Sequence, residues 1–581
     1  MAARNAKKQR TSTALGGAVV EAAGASSTRA GGLEGAMQAY GGCDAADPTP
    51  YNPNTNAMLT DMYQMTMCYG YWKAKRHETP ACFDMFFRKP PFKGEFCVFG
   101  GLSQVLAFLH SYKITEAQLN YLKTLMPDVD DGFFEWLANV DCSQVRVHAF
   151  KEGSIVFPRE PLLRVEGPIG VCQLLETTLL CIVNYASLVA TYAARMRVAV
   201  GPCKTLLEMG LRRAQGPDGG LSASRYAHIG GFDATSNVLA GQLFGIKVSG
   251  THAHAFVQSF SGLSDLASPR MRSADGTAEV DFVALVLKYR AELQRPKTNM
   301  GELSAYIAYC QAFPGAFLAL VDTYDTLGSG LPNFIACALA LIEIGYFPLG
   351  LRLDSGDLGA LSIQARAMLK ETEARYSGSL RGVEGLGAVA IVASNDIDED
   401  RLCELQAAGH EIDAFGIGTH LVTCQAQPAL GCVYKLVEMR GAPRIKLSQD
   451  SIKISVPCKK RIFRLYDAGG VPMGDVMMSE EEFESSGPPK AGQAFVGRDA
   501  IQPATRATLT PTSVSELLLC VWDGRLTYQM ESLAEVREHC QREIASLSKH
   551  TRRHAPEPYL VSLSDALFQT MHSLWMCEAP K

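Results

Sequence analysis

The chain has 581 residues, 47% of them hydrophobic and 20% charged, with a formal net charge of -5. Such values call for two or three packed globular units and exclude the basic excess that nucleic-acid backbones require. The 17 cysteines include no C-x-x-C pair, which argues against a disulfide framework or zinc knuckle and for reduced thiols in the cytosol.

Residues 1–50 are rich in Ala, Gly, Ser and Thr and nearly free of large side chains, a composition expected of a disordered extension. Arg4, Lys7, Lys8 and Arg10 precede the first acid, Glu21, so a transit peptide is the alternative. Residues 51–199 predict an α+β unit. It opens with a helix in "LTDMYQMTMCYGYW" that Thr60 or Asp61 can cap, with Met62, Met65 and Tyr69 at helical spacing. The most apolar segments carry Glu176, Asn184, Glu343 and Pro348 and read as buried helices and strands, so no membrane anchor is expected.

Over residues 200–440 eight short apolar runs each end in small or polar residues: "LLEMGLRRAQG", "IGGFDATSN", "GIKVSGTHAH", "FLALVDTYD", "PLGLRLDSGD", "AVAIVASNDID", "DAFGIGTHLV" and "CVYKLVEM". Eight strands with functional groups at their carboxyl ends are the plan of a parallel α/β barrel. The polar stretch "LASPRMRSADGTAE" between the third and fourth runs reads as a loop insertion. Residues 441–581 predict a further α+β segment.

The strand ends collect Glu208, Arg212, Arg213, Asp233, His252, His254, Asp322, Arg352, Asp354, Asp357, Asn395, Asp396, Gly416, Gly418 and Thr419. "LDSGD" by itself is an ordinary turn with a helix cap. Arg352 lies between Leu351 and Leu353, which point the other way, so its guanidinium can grip a carboxylate or phosphate in two-pronged fashion; the alternative is a structural ion pair with Asp354. Gly416, Gly418 and Thr419 follow the seventh run, the usual phosphate site of such barrels. His252 and His254 are two residues apart and would face one way on an extended strand. A metal-dependent hydrolase built on that H-x-H pair is one reading, but zinc needs further nitrogen or sulfur ligands and the later strand ends supply only His420. The third possibility is a solvated turn, more so for His252.

The stretches "LTDMYQMTM", "FDMFFRKPPF", "LLETTLLCIVNYASLVAT", "EMGLRRAQGPDGG", "GGFDATSNVLAGQLFGI", "GTHAHAF", "DTYDTLGSGLPNF", "RLDSGDL", "SNDID" and "GIGTHLVTC", in this order from about residue 58 to beyond 430, resemble nicotinate phosphoribosyltransferases of the animal type. That resemblance implies a type II phosphoribosyltransferase fold: an irregular (β/α)8-like barrel over residues 200–440, with a second α+β domain in which 51–199 and 441–581 pack together. It implies a homodimer that joins nicotinate to 5-phosphoribosyl 1-pyrophosphate in NAD biosynthesis. The reaction would be coupled to ATP as co-substrate through a phosphohistidine, with Mg2+ or Mn2+ held mainly by the substrate phosphates.

By the same resemblance His254 of G-T-x-A-H is the phosphoryl acceptor and Thr251 lies beside the nicotinate. Arg352 grips the pyridine carboxylate, and Tyr63 stacks on the ring of the partner subunit's substrate. Thr419, Gly416 and Gly418 bind the 5-phosphate, and Arg212 contacts phosphate. Asp322 and Asp354 hold ribose hydroxyls or magnesium, and Asp233 lies near the base ring. His252 and His420 depart from the family pattern.

Overall fold

The computed structural model describes residues 50–502 and 505–578, which divide into two compact units. The first comprises Ala199–Ser224 and Phe232–Val422, and the second residues 50–198, 225–231 and 423–578. The extension expected over 1–50 lies outside the described residues except for its last position.

In the first unit the apolar runs become parallel strands β1 (Thr205–Glu208), β2 (Ala234–Thr235), β3 (Leu318–Leu320), β4 (Gly350–Leu353), β5 (Ala390–Ser394) and β6 (Ala414–Ile417). Their spatial order is β3-β4-β5-β6-β1-β2. Each run is too short to pair alone, and parallel neighbours require crossover segments. The helix α2 (Leu358–Tyr376), capped by the Asp357 side chain on the Ala360 N–H, supplies the crossover from β4 to β5.

Two of the eight expected strands are corrected. "GIKVSGTHAH" forms only a single bridge, Thr235 to Val248, because its neighbour β2 ends at Thr235 and the chain there passes into a helix capped by Asn237. "CVYKLVEM" is the strand Val433–Met439, which pairs antiparallel with Pro80–Phe86 in the second unit. The parallel ladder is therefore open between β2 and β3. The segment after Val248 is tied to β3 by side chains instead: Thr251 Oγ1 donates to the Leu318 carbonyl at 2.9 Å, and the Leu320 N–H donates to His252 Nε2 at 3.3 Å. The expected loop insertion contains a short antiparallel pair, Arg270–Arg272 with Glu279–Asp281.

Strand alternation explains where chemistry can sit. Leu207, Ala234, Leu318, Val392 and Ala414 form one buried cluster on one face of the sheet. Two residues further along the same face come Met209, Ser394 and Gly416, and on β4 the same face carries Arg352. One sheet face thus runs from apolar to polar along the strand direction.

The second unit draws on both ends of the described chain. One sheet has the order Ala442–Pro443, Val433–Met439, Pro80–Phe86, Leu163–Pro168, Arg146–Ala149, Leu519–Asp523. The other has Arg506–Leu509, Phe495–Arg498, Val561–Leu563, Pro472–Ser479, Lys460–Tyr466, Ser513–Glu516. A buried ion pair, Lys460 Nζ to Asp84 Oδ2 at 2.7 Å, links the two sheets, and Lys460 also donates to the Val456 and Cys458 carbonyls. The boundary expected at 440 falls at 422, since Val433–Met439 finds its partner among amino-terminal strands. Helices Ile169–Val200 and Thr326–Glu343 are long and apolar enough to cross a membrane, but most of each apolar window is buried inside the structure.

Gly330 begins the turn into Leu331–Glu343, where an added Cβ would lie 1.9 Å from the Val321 carbonyl oxygen, just beyond β3. Backbone cannot yield as a flexible side chain does, so Gly330→Ala should destabilise the fold by about 1–3 kcal/mol. Gly315→Ala, with open space around the added atom, should stay within about 0.5 kcal/mol. Denaturant titration of both variants checks this, and equal midpoints would contradict it.

Candidate active site

Two cavities open at the carboxyl ends of the strands. The larger, about 780 Å³, is lined by Thr251, His254 and Ser236 among others; the smaller, about 100 Å³, by Arg213, Ser394, Asn395, Asp396, Gly416, Gly418 and Thr419. Met209, Arg212, Arg352 and Asp354 border both. The sequence-predicted residues Arg212, Thr251, His254, Arg352, Asp354, Gly416, Gly418 and Thr419 are thus brought together.

Arg352 and Asp354 are fixed by their neighbours. Arg352 Nε donates to Ser394 Oγ at 2.8 Å and Nη2 to Asp354 Oδ1 at 3.0 Å. The ion pair considered from sequence exists, yet it occupies one edge of the guanidinium, and Nη1 has no partner among the described residues. Burial raises the cost of charging Asp354, but the Ser394 hydroxyl and Arg352 outweigh it and hold the carboxyl below the usual carboxylate range. Asp322 Oδ2 accepts the Asp354 N–H at 3.2 Å and the Ser355 hydroxyl, which braces the loop after β4. Its Oδ1 is buried with no hydrogen-bond partner among the described residues, and Asp322 is absent from both cavity linings.

The two histidines part company. His254 begins the short helix α1 (His254–Gln258), with its side chain 40% exposed; Nδ1 is 3.1 Å from Thr323 Oγ1 and Nε2 is 3.6 Å from Asp354 Oδ2. His252 is turned inward, 8% exposed, against Phe256 and Tyr309. Burial pushes its pKa down to about 4, so the ring is neutral at physiological pH, and because Nε2 accepts a backbone N–H its proton sits on Nδ1. The expectation of a solvated turn histidine is corrected: the segment is not an extended strand, and although both residues border the larger cavity, the His252 ring is buried among aromatic rings while the His254 ring is exposed. Among the described residues no cluster of three or more His, Cys, Asp or Glu is arranged for a metal ion, and the H-x-H hydrolase reading loses its geometric basis.

The smaller cavity is lined by Arg212, Arg213 and Arg352 together with Asp354 and Asp396. The helix α3 (Thr419–Thr423) follows β6 directly, and a Cβ on Gly416 would come within 2.7 Å of Met209 Sδ. Glycine there lets the ends of β6 and β1 close on a ligand through bare backbone. Arg212 and Arg213 are exposed at the rim, with no carboxylate partner among the described residues. Asn395 (φ 89) and Asp396 (φ 46) turn the chain through two successive left-handed residues at the end of β5, a cost that a ligand site can retain.

Other positions are reassigned. Asp233 precedes β2 rather than ending it, and its carboxylate accepts the Leu206 N–H at 2.9 Å, outside both cavity linings. Glu208 is buried and accepts from the Ser224 hydroxyl at 2.8 Å and from the Thr235 hydroxyl, locking β1 to β2. Asp357 is a helix cap. Tyr63 belongs to the second unit, exposed beside Met62 and Met67 on the helix Met62–Lys73, whose N-cap is Asp61. His420 is 4.0 Å from Asp396 Oδ1. Sequence reasoning missed Met209, Thr323 and Ser394. All three stand in the strand-end motifs, but as small or uncharged side chains they give no chemical signal of their own. A cavity of about 300 Å³ in the second unit is lined by charges that pair with one another, Arg146 with Asp523 and Lys459 with Glu166 and Glu438.

With this geometry in view, the comparisons agree with the resemblance. Three family profiles match in succession: the nicotinate phosphoribosyltransferase N-terminal domain over 58–184, the family itself over 205–468 and its C-terminal domain over 459–571. Nicotinate phosphoribosyltransferase 2 of Arabidopsis thaliana is 48% identical over 91% of this chain and 96% of its own. The Homo sapiens enzyme of that name is 46% identical over 90% and 97%. A crystal structure of human nicotinic acid phosphoribosyltransferase superposes with a TM-score of 0.78 at 43% identity, covering 89% of this chain and all of that one. The fold is that of the type II phosphoribosyltransferases, with amino-terminal, central and carboxyl-terminal parts. The chain belongs to the nicotinate phosphoribosyltransferase family.

Proposed function

We propose that the protein joins nicotinate to 5-phosphoribosyl 1-pyrophosphate, forming nicotinate mononucleotide and pyrophosphate, and that ATP drives the reaction through a phosphorylated His254. The observation that carries this reading is the pairing of a roomy cavity with a small anion-type cavity, with Arg352 and Asp354 on the shared border. The pyridine ring fits the larger space, with its carboxylate on the open edge of Arg352 and Thr251 alongside. The 5-phosphate fits the backbone around Gly416, Gly418 and Thr419, and Arg212 adds charge. The ring nitrogen then bonds to the ribose carbon as the pyrophosphate oxygen leaves. Positive charge developing on the sugar is stabilised by the Asp354 carboxylate. Imidazole is nucleophilic when neutral near pH 7, and the exposed ring of His254 suits it to receive and release a phosphoryl group.

Mg2+ or Mn2+ suits the residues present. Asp322 Oδ1 is an unsatisfied hard oxygen donor, and a site of few carboxylates fits an ion that keeps its waters and binds chiefly through substrate phosphates. When bound, the ion would neutralise phosphate charge. A homodimer is supported by the exposed apolar face of Met62, Tyr63 and Met67, from which Tyr63 could stack on the ring in a second copy. Location in the cytosol is supported by the absence of any disulfide among the described residues.

Three assays test this reading. Purified protein given nicotinate, 5-phosphoribosyl 1-pyrophosphate and Mg2+ should yield the mononucleotide, with more product when ATP is present; absence of product from nicotinate refutes the assignment. Arg352→Ala should raise KM for nicotinate about 10- to 100-fold, since a charge-assisted hydrogen bond contributes about 1.5–3 kcal/mol; an unchanged KM would place the carboxylate elsewhere. His254→Ala should abolish both ATP stimulation and acid-labile phosphoprotein while retaining some uncoupled synthesis, and labelled phosphate incorporated at the wild-type level would sink the role given to His254.

A further inference from the structure

We infer that Thr323 is a positioning residue for the phosphoryl acceptor, an inference that rests on the phosphohistidine reading of His254. The His254 side chain is 40% exposed and opens a helix of only five residues, so packing alone does not fix its ring. One hydrogen bond to the imidazole exists among the described residues, between Thr323 Oγ1 and Nδ1 at 3.1 Å. On the other side of the ring the Asp354 carboxylate lies 3.6 Å from Nε2, beyond hydrogen-bond length. Asp354 is itself held by Ser394, Arg352 and Asp322. The ring therefore stands between one anchored carboxylate that it does not quite touch and one hydroxyl that it does.

Residue type and place both matter here. Thr323 follows Asp322 at the carboxyl end of β3, so adjacent residues carry out two tasks: Asp322 braces the loop bearing Asp354, and Thr323 holds the histidine. A β-branched side chain has few χ1 choices, which gives the hydroxyl a fixed direction. A hydroxyl also donates or accepts, so it can hold the ring whether the facing nitrogen carries a lone pair or a proton. A carboxylate in that place could only accept. The acceptor nitrogen must meet the γ-phosphorus of ATP in line with the departing ADP oxygen, and the rate of such a transfer depends steeply on alignment.

The test compares Thr323→Val, which keeps shape and branching but removes the hydroxyl, with Thr323→Ser, which keeps the hydroxyl. Two quantities are read in full-length protein: the initial rate of labelled phosphate incorporation from ATP, and the ratio of mononucleotide synthesis with ATP to that without. The valine variant should incorporate phosphate at least ten-fold more slowly and show a ratio falling toward one, while the serine variant stays within about three-fold of wild type in both. A general loss of structure would lower synthesis in both arms and leave the ratio in place, which would overturn the inference. Wild-type incorporation by the valine variant would overturn it, as would a serine variant as impaired as valine, since keeping the hydroxyl would then rescue nothing. If wild-type protein makes mononucleotide but takes up no phosphate at all, the phosphohistidine reading itself falls, and this inference with it.

Discussion

Asp354 is the pivot on which the site's geometry turns. Its side chain receives the Ser394 hydroxyl from β5 and the Arg352 guanidinium from β4, its N–H is held by Asp322 beyond β3, and its second oxygen faces His254 at the start of α1. A half-buried carboxylate would resist ionisation, but these partners lower its pKa despite the burial. The charge stays where a cationic ring or a developing positive sugar would need it. Remove the pivot and the groups on three strand ends lose their common reference, so the site is better regarded as one hydrogen-bonded assembly than as a set of separate catalytic residues.

That assembly depends in turn on a simple property of strands. Because side chains alternate, Leu207, Leu318, Val392 and Ala414 can bury an apolar cluster on one sheet face while the same face delivers Met209, Ser394 and Gly416 two residues later. The apolar part below supports the polar part above. Gly416 shows how close the tolerance is: a single methyl there would press on Met209, one of the four side chains that border both cavities. The division between the larger and the smaller cavity is thus set by thioether against bare backbone.

Much of this was legible before any coordinates. Six of the eight apolar runs are strands of one parallel sheet, and most residues taken from their ends line the two cavities. The errors have physical causes. "CVYKLVEM" has the alternation of any half-buried strand, and nothing local in it selects a parallel neighbour over the antiparallel Pro80–Phe86. Asp233 was assigned to the wrong end because its strand has two residues and the sequence does not mark where pairing begins. Glu208 carries the chemical signal of a catalytic acid, but Ser224 and Thr235 consume it, and that competition depends on contacts distant in sequence. Thr323 went unseen for the opposite reason, since its importance lies wholly in what stands 3.1 Å away.

The histidines illustrate the same limit in its sharpest form. H-x-H implies a shared direction only if the backbone between the rings is extended, and here the chain leaves the sheet at Val248 and starts a helix at His254. His252 then satisfies the backbone of β3 from inside a cluster of aromatic rings, where burial keeps it neutral. By accepting the Leu320 N–H it does for this segment what a ladder hydrogen bond would do for a strand, and so seats the turn that carries His254. A neutral ring is required for that task, because a protonated imidazole has no lone pair to accept with. The task of His252 is accordingly structural: it helps close the gap between β2 and β3.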